Sequence, residues 1–393
     1  MLISTLKTGG SLLPPVKLLV FDLDGVITSE QIYLETARCT IQEILESDDY
    51  FGIRDYFGFS VPEERHFHPV EAIVSPRLVT ALKTRAINSN WDLCYVGACL
   101  NIVGILRETQ TLSHIAPVDK DLSLDRLLLA FRSTPVHSPL NFLQGDQTLD
   151  SFLAVLGNDL NHSPLDVLPA FIEDQLGTPL TCLKPRGELW NLCYEIFQDW
   201  MHQSRNTRYA ASMPSLPFID KTIVDDVLLA DVLKHLRHSG YTLGIATGRP
   251  LQEARLPLEN AGILSCFDPD RIVTYDEVQE AESLLMAQGS PLKLGKPHPF
   301  ILLKAITPQA SLEELLSADA SASSPDAIMI GDSTADIIAA RAAGCASIGV
   351  LTGLGWDEAS FELKRRLLVS AGCDVVVGSV LDLPIVLGIV DAP

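Results

Sequence analysis

The chain has 393 residues, 47% of them hydrophobic and 20% charged, with a formal net charge of −21 at pH 7. This is the composition of a soluble globular protein, long enough to bury a large core divided between two domains. The acidic balance argues against a nucleic-acid surface, which needs clustered Lys and Arg, and no apolar run reaches membrane-spanning length, so neither partner is expected.

Met1 to Lys7 lacks a basic segment leading into a long apolar stretch, which makes a cytoplasmic location the default expectation. The eight cysteines include no Cys-x-x-Cys pair, and reduced, packed thiols are expected rather than disulfides or a zinc site. Nothing in the chain speaks to oligomeric state.

Residues 1 to 15 form a lead-in punctuated by Gly9-Gly10 and Pro14-Pro15. In the next stretch, Val16 to Phe21, five of six residues are apolar, as in a central strand covered on both faces. Such a strand cannot carry carboxylates along its length, so Asp22 and Asp24 fall at its carboxyl end, where open α/β sheets place ligands. Alternation puts both side chains on one side of the backbone, and two converging carboxylates call for a hard cation such as Mg²⁺ between them. Gly25 allows a sharp turn after the pair. A strand followed by an ordinary acidic turn accounts for the same residues.

From Ser29 to about Pro217 apolar residues recur at helical spacing, as in Ile41, Ile44 and Leu45, or Leu189, Leu192, Cys193, Ile196 and Phe197. Prolines at 62, 69, 76, 117, 135, 139, 164, 169, 179 and 185 predict several short helices joined by turns. Ser212 to Pro217 reads as a return linker. The expected organisation is an α/β core of residues 1–28 and 218–393 interrupted by a mostly α-helical insert, 29–217.

Beyond the linker, Lys221 to His238 predicts a helix with Val224, Val227, Leu228, Val232 and Leu236 on its apolar face and Gly240 as its stop. Tyr241 to Ala246 reads as a strand ending at Thr247-Gly248-Arg249-Pro250, followed by a helix over 251–261 and a strand over Arg271 to Tyr275. Lys296 stands just ahead of a helix that Pro299 can begin. Ala327 to Ile330 is a further strand, running into Gly331-Asp332-Ser333-Thr334-Ala335-Asp336 and an alanine-rich helix that Gly344 ends. Ala346 to Leu351 and Asp374 to Val377 complete the strands, with a basic helix around Leu363 to Leu368 between them. Strands alternating with helices imply right-handed crossovers and a doubly wound parallel sheet.

Four strand-end loops thus carry polar groups: Asp22 with Asp24, Thr247, Lys296, and Asp332 with Asp336. In this order they resemble the four motifs of the haloacid dehalogenase superfamily of phosphohydrolases, over residues 16 to 28 and about 218 to 380. The resemblance implies that Asp22 attacks phosphorus to form an aspartyl-phosphate, and that Asp24 protonates the leaving oxygen and then takes a proton from water. It implies Mg²⁺ held by the Asp22 carboxylate, the Asp24 backbone carbonyl and Asp332, with Asp336 either a ligand or a group that supports one. Thr247, the amides after it from Gly248 onward, and Lys296 would bind phosphoryl oxygens. Arg249 is a candidate for substrate contact, and a structural ion pair is an equal reading. Each motif also has a plain structural reading: a strand end, a surface lysine, a pair of helix caps.

An acid at position 24 points within the superfamily to phosphate ester hydrolysis or to a sugar phosphomutase. The insert lies where many members carry a helical cap, which would close over the cleft and choose the leaving group of a small phosphorylated metabolite. Lys184, Arg186, Arg54, Arg65 and His68 are its polar candidates, and a solvated loop explains most of them equally well. A non-catalytic binding protein on the same fold would be expected to lack one of the motif residues, and none is missing.

Overall fold

The structure is a computed structural model that describes residues 17–53, 71–85, 87, 89–114, 122–134, 143–157, 163–202, 221–317, 326–353 and 358–390. It divides into two compact units, one of Met1–Glu30 with Asp220–Pro393 and the other of Gln31–Ile219.

The first unit is built on six strands, β1 (Leu18–Phe21), β2 (Thr242–Ala246), β3 (Ile272–Val273), β4 (Ala327–Gly331), β5 (Ala346–Val350) and β6 (Val375–Val377). They lie in the order β3-β2-β1-β4-β5-β6, every neighbouring pair parallel. Period-two alternation divides their side chains between two cores. Leu19 and Phe21 of β1, with Ile328 and Ile330 of β4, pack beside Leu229, Leu233 and Leu236 of one flanking helix and Ala254 and Leu258 of another. Leu18 and Val20, with Ala327 and Met329, belong to the opposite core with Val278, Phe300, Leu303 and Ala340. A sheet covered on both faces explains why its central strands read as continuous apolar runs. The expected doubly wound α/β architecture is what the structure shows.

Register places the functional loops side by side. Phe21 is opposite Ile245 on β2 and Ile330 on β4, so the residues that leave these three strands emerge along one edge. The Asp22 amide donates to Ile330 O at 2.9 Å and the Thr247 amide to Val273 O at 3.0 Å, carrying the alignment one residue past the strands.

Two expected elements differ. The helix predicted from Lys221 begins at Asp226, because the Asp225 carboxylate caps the amides of Val227 and Leu228, each at 3.0 Å. Its buried stripe is Leu229, Leu233 and Leu236, while Val227 and Leu228 are exposed. The strand predicted over Arg271 to Tyr275 pairs only at Ile272–Val273, since Arg271 closes a 3₁₀ turn and Thr274 caps the following helix.

The second unit carries α1 (Gln31–Glu46), α2 (Pro76–Lys83), α3 (Asn90–Thr109), α4 (Leu124–Ser133), α5 (Leu143–Leu156), α6 (Pro164–Leu176) and α7 (Glu188–His202), with no strand among the described residues. Pro76 and Pro164 begin helices, where a missing amide proton costs nothing. Pro169 sits inside α6 instead of ending it. The linker expected over 212–217 and the candidates Arg54, Arg65 and His68 lie outside the described residues. All eight cysteines are free thiols, seven of them buried. No described helix is long and apolar enough to cross a membrane.

Candidate active site

The loop after β1 is tightly wound. The amides of Val26, Ile27 and Thr28 all turn back to Leu23 O, at 3.1, 2.8 and 2.8 Å, and Gly25 takes φ +75°. A Cβ on Gly25 would stand 2.3 Å from Asp332 Oδ2, so glycine is required both by the backbone and by the close approach of that carboxylate. Gly331 plays a similar part at β4, where a Cβ would fall 2.3 Å from Asp336 Cβ.

The strand ends bring Asp22, Asp332 and Asp336 together. Each offers one carboxylate oxygen within 4.8 Å of the other two, and all three residues are buried. Lys296 Nζ lies between two of them, 2.9 Å from Asp22 Oδ1 and 2.7 Å from Asp336 Oδ1. Asp336 divides its oxygens: Oδ2 accepts from the Ser333 amide at 3.1 Å and hydroxyl at 2.7 Å, forming the capping box of the helix Thr334–Ala342, while Oδ1 faces Lys296. The helix-cap reading of this residue holds for Oδ2 and leaves Oδ1 to Lys296.

Burial pushes the Asp22 carboxyl up to about 8; Lys296 pulls against it, and Asp336, Asp24 and Asp332 add to the rise. Burial would also raise Asp336, but Lys296 and the Ser333 bonds outweigh it and hold that carboxyl below its usual range. Lys296 is drawn down by burial and raised further by Asp22 and Asp336, so its ammonium stays charged. A nucleophile at position 22 must be ionised, and in this setting that asks for more positive charge than Lys296 supplies. The three clustered carboxylates are hard oxygen donors of the kind that hold Mg²⁺. The residues present therefore fit a divalent cation.

Asp24 is placed differently. Its Oδ1 accepts from Arg249 Nη2 at 2.5 Å and Nε at 3.0 Å, and its side chain keeps 20% exposure. Arg249, read equally as a substrate contact or a structural ion pair, is 2% exposed; its guanidinium also donates to Thr28 Oγ1 at 2.9 Å and to Ser29 O and Glu253 O. The ion-pair alternative is thus the arrangement found. Thr247 is fully buried, its hydroxyl accepting from the Arg249 amide at 3.2 Å, and Gly248 follows with open space where a Cβ would be.

A residue not singled out from the sequence joins the cluster. Lys364, on the helix Glu358–Ala371, lies with Nζ 2.7 Å from Asp332 Oδ2 and donates to Thr352 O, while Thr352 Oγ1 donates to Gly25 O at 2.7 Å. Its signal in the sequence was the run Lys364-Arg365-Arg366, which reads as a solvated basic face. In the second unit, exposed Arg186 lies over the Trp190 ring at 4.4 Å and 4.0 Å from Asp92, and Lys184 is exposed.

Residues 222–350 match the family model of haloacid dehalogenase-like hydrolases. The chain is 30% identical over 141 residues to a probable phosphatase, IndB, of Dickeya dadantii, covering 36% of this chain and 50% of that one. It is 30% identical over 131 residues to a phosphoglycolate phosphatase of Salmonella choleraesuis, covering 33% of this chain and 41% of that one. The chain thus spans about half the length of the curated relatives it matches or less. An X-ray structure of a structural-genomics target shares its fold, with a TM-score of 0.68 at 24% identity over 95% of this chain and 98% of that one. The matched region, residues 222–350, takes in Thr247, Lys296 and Asp332, three of the strand-end groups gathered at one edge of the sheet, and over it the chain is similar to haloacid dehalogenase-like hydrolases.

Proposed function

We propose that the protein is a Mg²⁺-dependent phosphatase that hydrolyses a small phosphate monoester through an aspartyl-phosphate on Asp22. The observation that carries this reading is the convergence of Asp22, Asp332 and Asp336 around Lys296 at the carboxyl edge of the sheet. The substrate class draws on the Salmonella relative, which by its name acts on phosphoglycolate, a small phosphate ester.

Asp22 would attack phosphorus with one carboxylate oxygen, displacing the alcohol, and water would then release phosphate and restore the carboxylate. Lys296 would hold phosphoryl oxygens against the nucleophile, aided by the Thr247 hydroxyl and the amides of Gly248 and its neighbours. Asp24 would protonate the leaving oxygen, and its carboxylate is held by Arg249. Mg²⁺, when held by Asp22, Asp332, Asp336 and the Asp24 carbonyl, supplies charge neutralisation between nucleophile and phosphoryl group.

The test is phosphate release from a panel of small phosphate monoesters, with Mg²⁺ and with chelator, in the natural protein and in Asp22→Asn. Release that depends on Mg²⁺ and falls by about a thousandfold or more in the variant is expected. Unchanged turnover in Asp22→Asn would refute the role given to that carboxylate. Isomerisation of a sugar phosphate with little free phosphate would assign the same site to a mutase.

A further inference from the structure

The acidic cluster holds two lysines in unlike ways. Lys296 is shared by Asp22 and Asp336 and its side chain is 8% exposed. Lys364 meets a single carboxylate, that of Asp332, with a carbonyl as its other partner, and its side chain is 14% exposed. The neighbours of Lys364 in the basic run turn elsewhere, Arg365 and Arg366 both pairing with Glu362 on their own helix at 3.8 and 3.3 Å. The placement of Lys364 is therefore particular to it and not a property of a basic helix face.

The Asp332 carboxylate that receives this lysine is closed in by backbone. A Cβ on Gly25 would stand 2.3 Å from its Oδ2, and one on Gly353 would stand 2.7 Å from the same atom and 2.9 Å from Lys364 Nζ. With all three carboxylates ionised, as attack by Asp22 requires, the two ammonium groups leave one negative charge over. A divalent cation beside Lys296 alone would bring the cluster to neutrality, whereas with Lys364 also in place the cluster would carry excess positive charge in a buried setting. The ion and Lys364 are thus alternatives for Asp332.

We propose that Lys364 is a resident counter-cation for Asp332 that competes with the divalent ion, so that metal binding displaces its ammonium from the site. Lys364 keeps the metal-free cluster folded and lowers the affinity of the site for metal, which makes occupancy respond to the free cation concentration over a higher range. This rests on the metal site proposed above.

The experiment titrates Mg²⁺ into chelator-treated protein by calorimetry and by thermal melting at low ionic strength, for the natural chain, Lys364→Met and Lys364→Gln, each with and without Asp332→Asn. The neutral variants are expected to bind Mg²⁺ about tenfold more tightly, the scale of a typical coupling between two ligands of one group. They are also expected to melt lower without metal and to gain more from its addition. Asp332→Asn should weaken binding in every background and remove the difference between them. Unchanged or weaker Mg²⁺ binding in both neutral variants, with Asp332→Asn still damaging, would overturn the proposal and leave the metal site standing. Absence of Mg²⁺ binding in all the proteins would remove both. A lysine that merely supports the fold would lower melting equally with and without metal and leave the affinity where it is.

Discussion

The two units differ in how they handle clustered buried charge. Among the described residues of the helical unit, buried ionic groups have individual partners, an opposite charge or a neutral donor or acceptor: Arg38 meets Glu35 at 2.7 Å and Val74 O at 2.9 Å, Asp92 meets Trp190 Nε1 at 2.7 Å, and Glu43 meets Trp200 Nε1 at 3.0 Å. In the α/β unit acids are also set against acids: Asp22, Asp332 and Asp336 converge on Lys296 and Lys364, and the crowding is such that burial and the neighbouring acids hold the Asp22 carboxyl up at about 8. Buried ions with a partner each serve architecture, whereas acids crowded together hold free energy that a ligand can release.

The largest break in that contrast is at Lys296. Replacing it with Met leaves two buried carboxylates facing each other without their shared ammonium, and the chelator-treated protein is expected to lose about 3–5 kcal/mol of unfolding free energy. The comparison is Arg77→Met, which removes an ion pair with Asp150 at 2.7 Å in which both side chains are 58% exposed. That loss is expected to stay below about 1 kcal/mol, because water screens the pair. Urea titration of the two variants checks both values, and equal losses would erase the distinction between the units.

The pH dependence of the metal-free protein sharpens the same point. Asp22 releases its proton near 3.8 in the unfolded chain but only at about 8 in the folded one. The unfolded chain sheds the proton first as pH rises, so the contribution of this group to stability is full below about pH 4 and declines from there to about pH 8. Asp336, held low by Lys296 against the effect of burial, works the other way and favours folding above its unfolded value. Melting of the chelator-treated protein should fall across the pH 4 to 8 window by an amount on the order of a few kcal/mol, and Asp22→Asn should flatten that slope. A slope that survives the substitution would place the titrating group elsewhere.

What the sequence disclosed follows the same division. The strand Leu18–Phe21 and its carboxylate loop were legible because an apolar run covered on both faces cannot absorb two aspartates, and the order of the later motifs then located Lys296, Asp332 and Asp336. Lys364 was not legible, because its partner lies 32 residues away and a basic run on a helix is ordinarily solvated. Arg249 was visible as a neighbour of Thr247, but its burial against Asp24 depends on folding across 225 residues. In the insert, helices were legible as a class and their limits were not. Helix α3 is buried without interruption from Asp92 to Leu106, which erases the period that marks an amphipathic helix, and Pro169 lies within α6.

A smaller effect tests the helical unit on its own terms. Asp92 is buried and accepts from Trp190 Nε1 at 2.7 Å, so Asp92→Ala leaves an indole N–H without its acceptor. The expected cost is about 1–3 kcal/mol. Trp190→Phe in the same background should recover part of it, since the orphaned donor is then gone. A double-mutant cycle by urea unfolding measures the coupling, and additive losses would show that the bond carries nothing of its own.

The smallest expected difference compares two helix starts. Ser333 caps the helix Thr334–Ala342 by accepting from the Asp336 amide at 3.3 Å while its hydroxyl donates to Asp336 Oδ2 at 2.7 Å. Ser163 occupies the same position before α6 without a side-chain cap bond, and Pro164 sets the first turn there. Ser333→Ala is expected to cost about 1 kcal/mol and Ser163→Ala close to nothing. The serine at 333 also fixes the Asp336 carboxylate, so its loss should weaken Mg²⁺ binding as well as lower melting. Lower melting with unchanged metal affinity would mean that Lys296 by itself is enough to hold Asp336 in place.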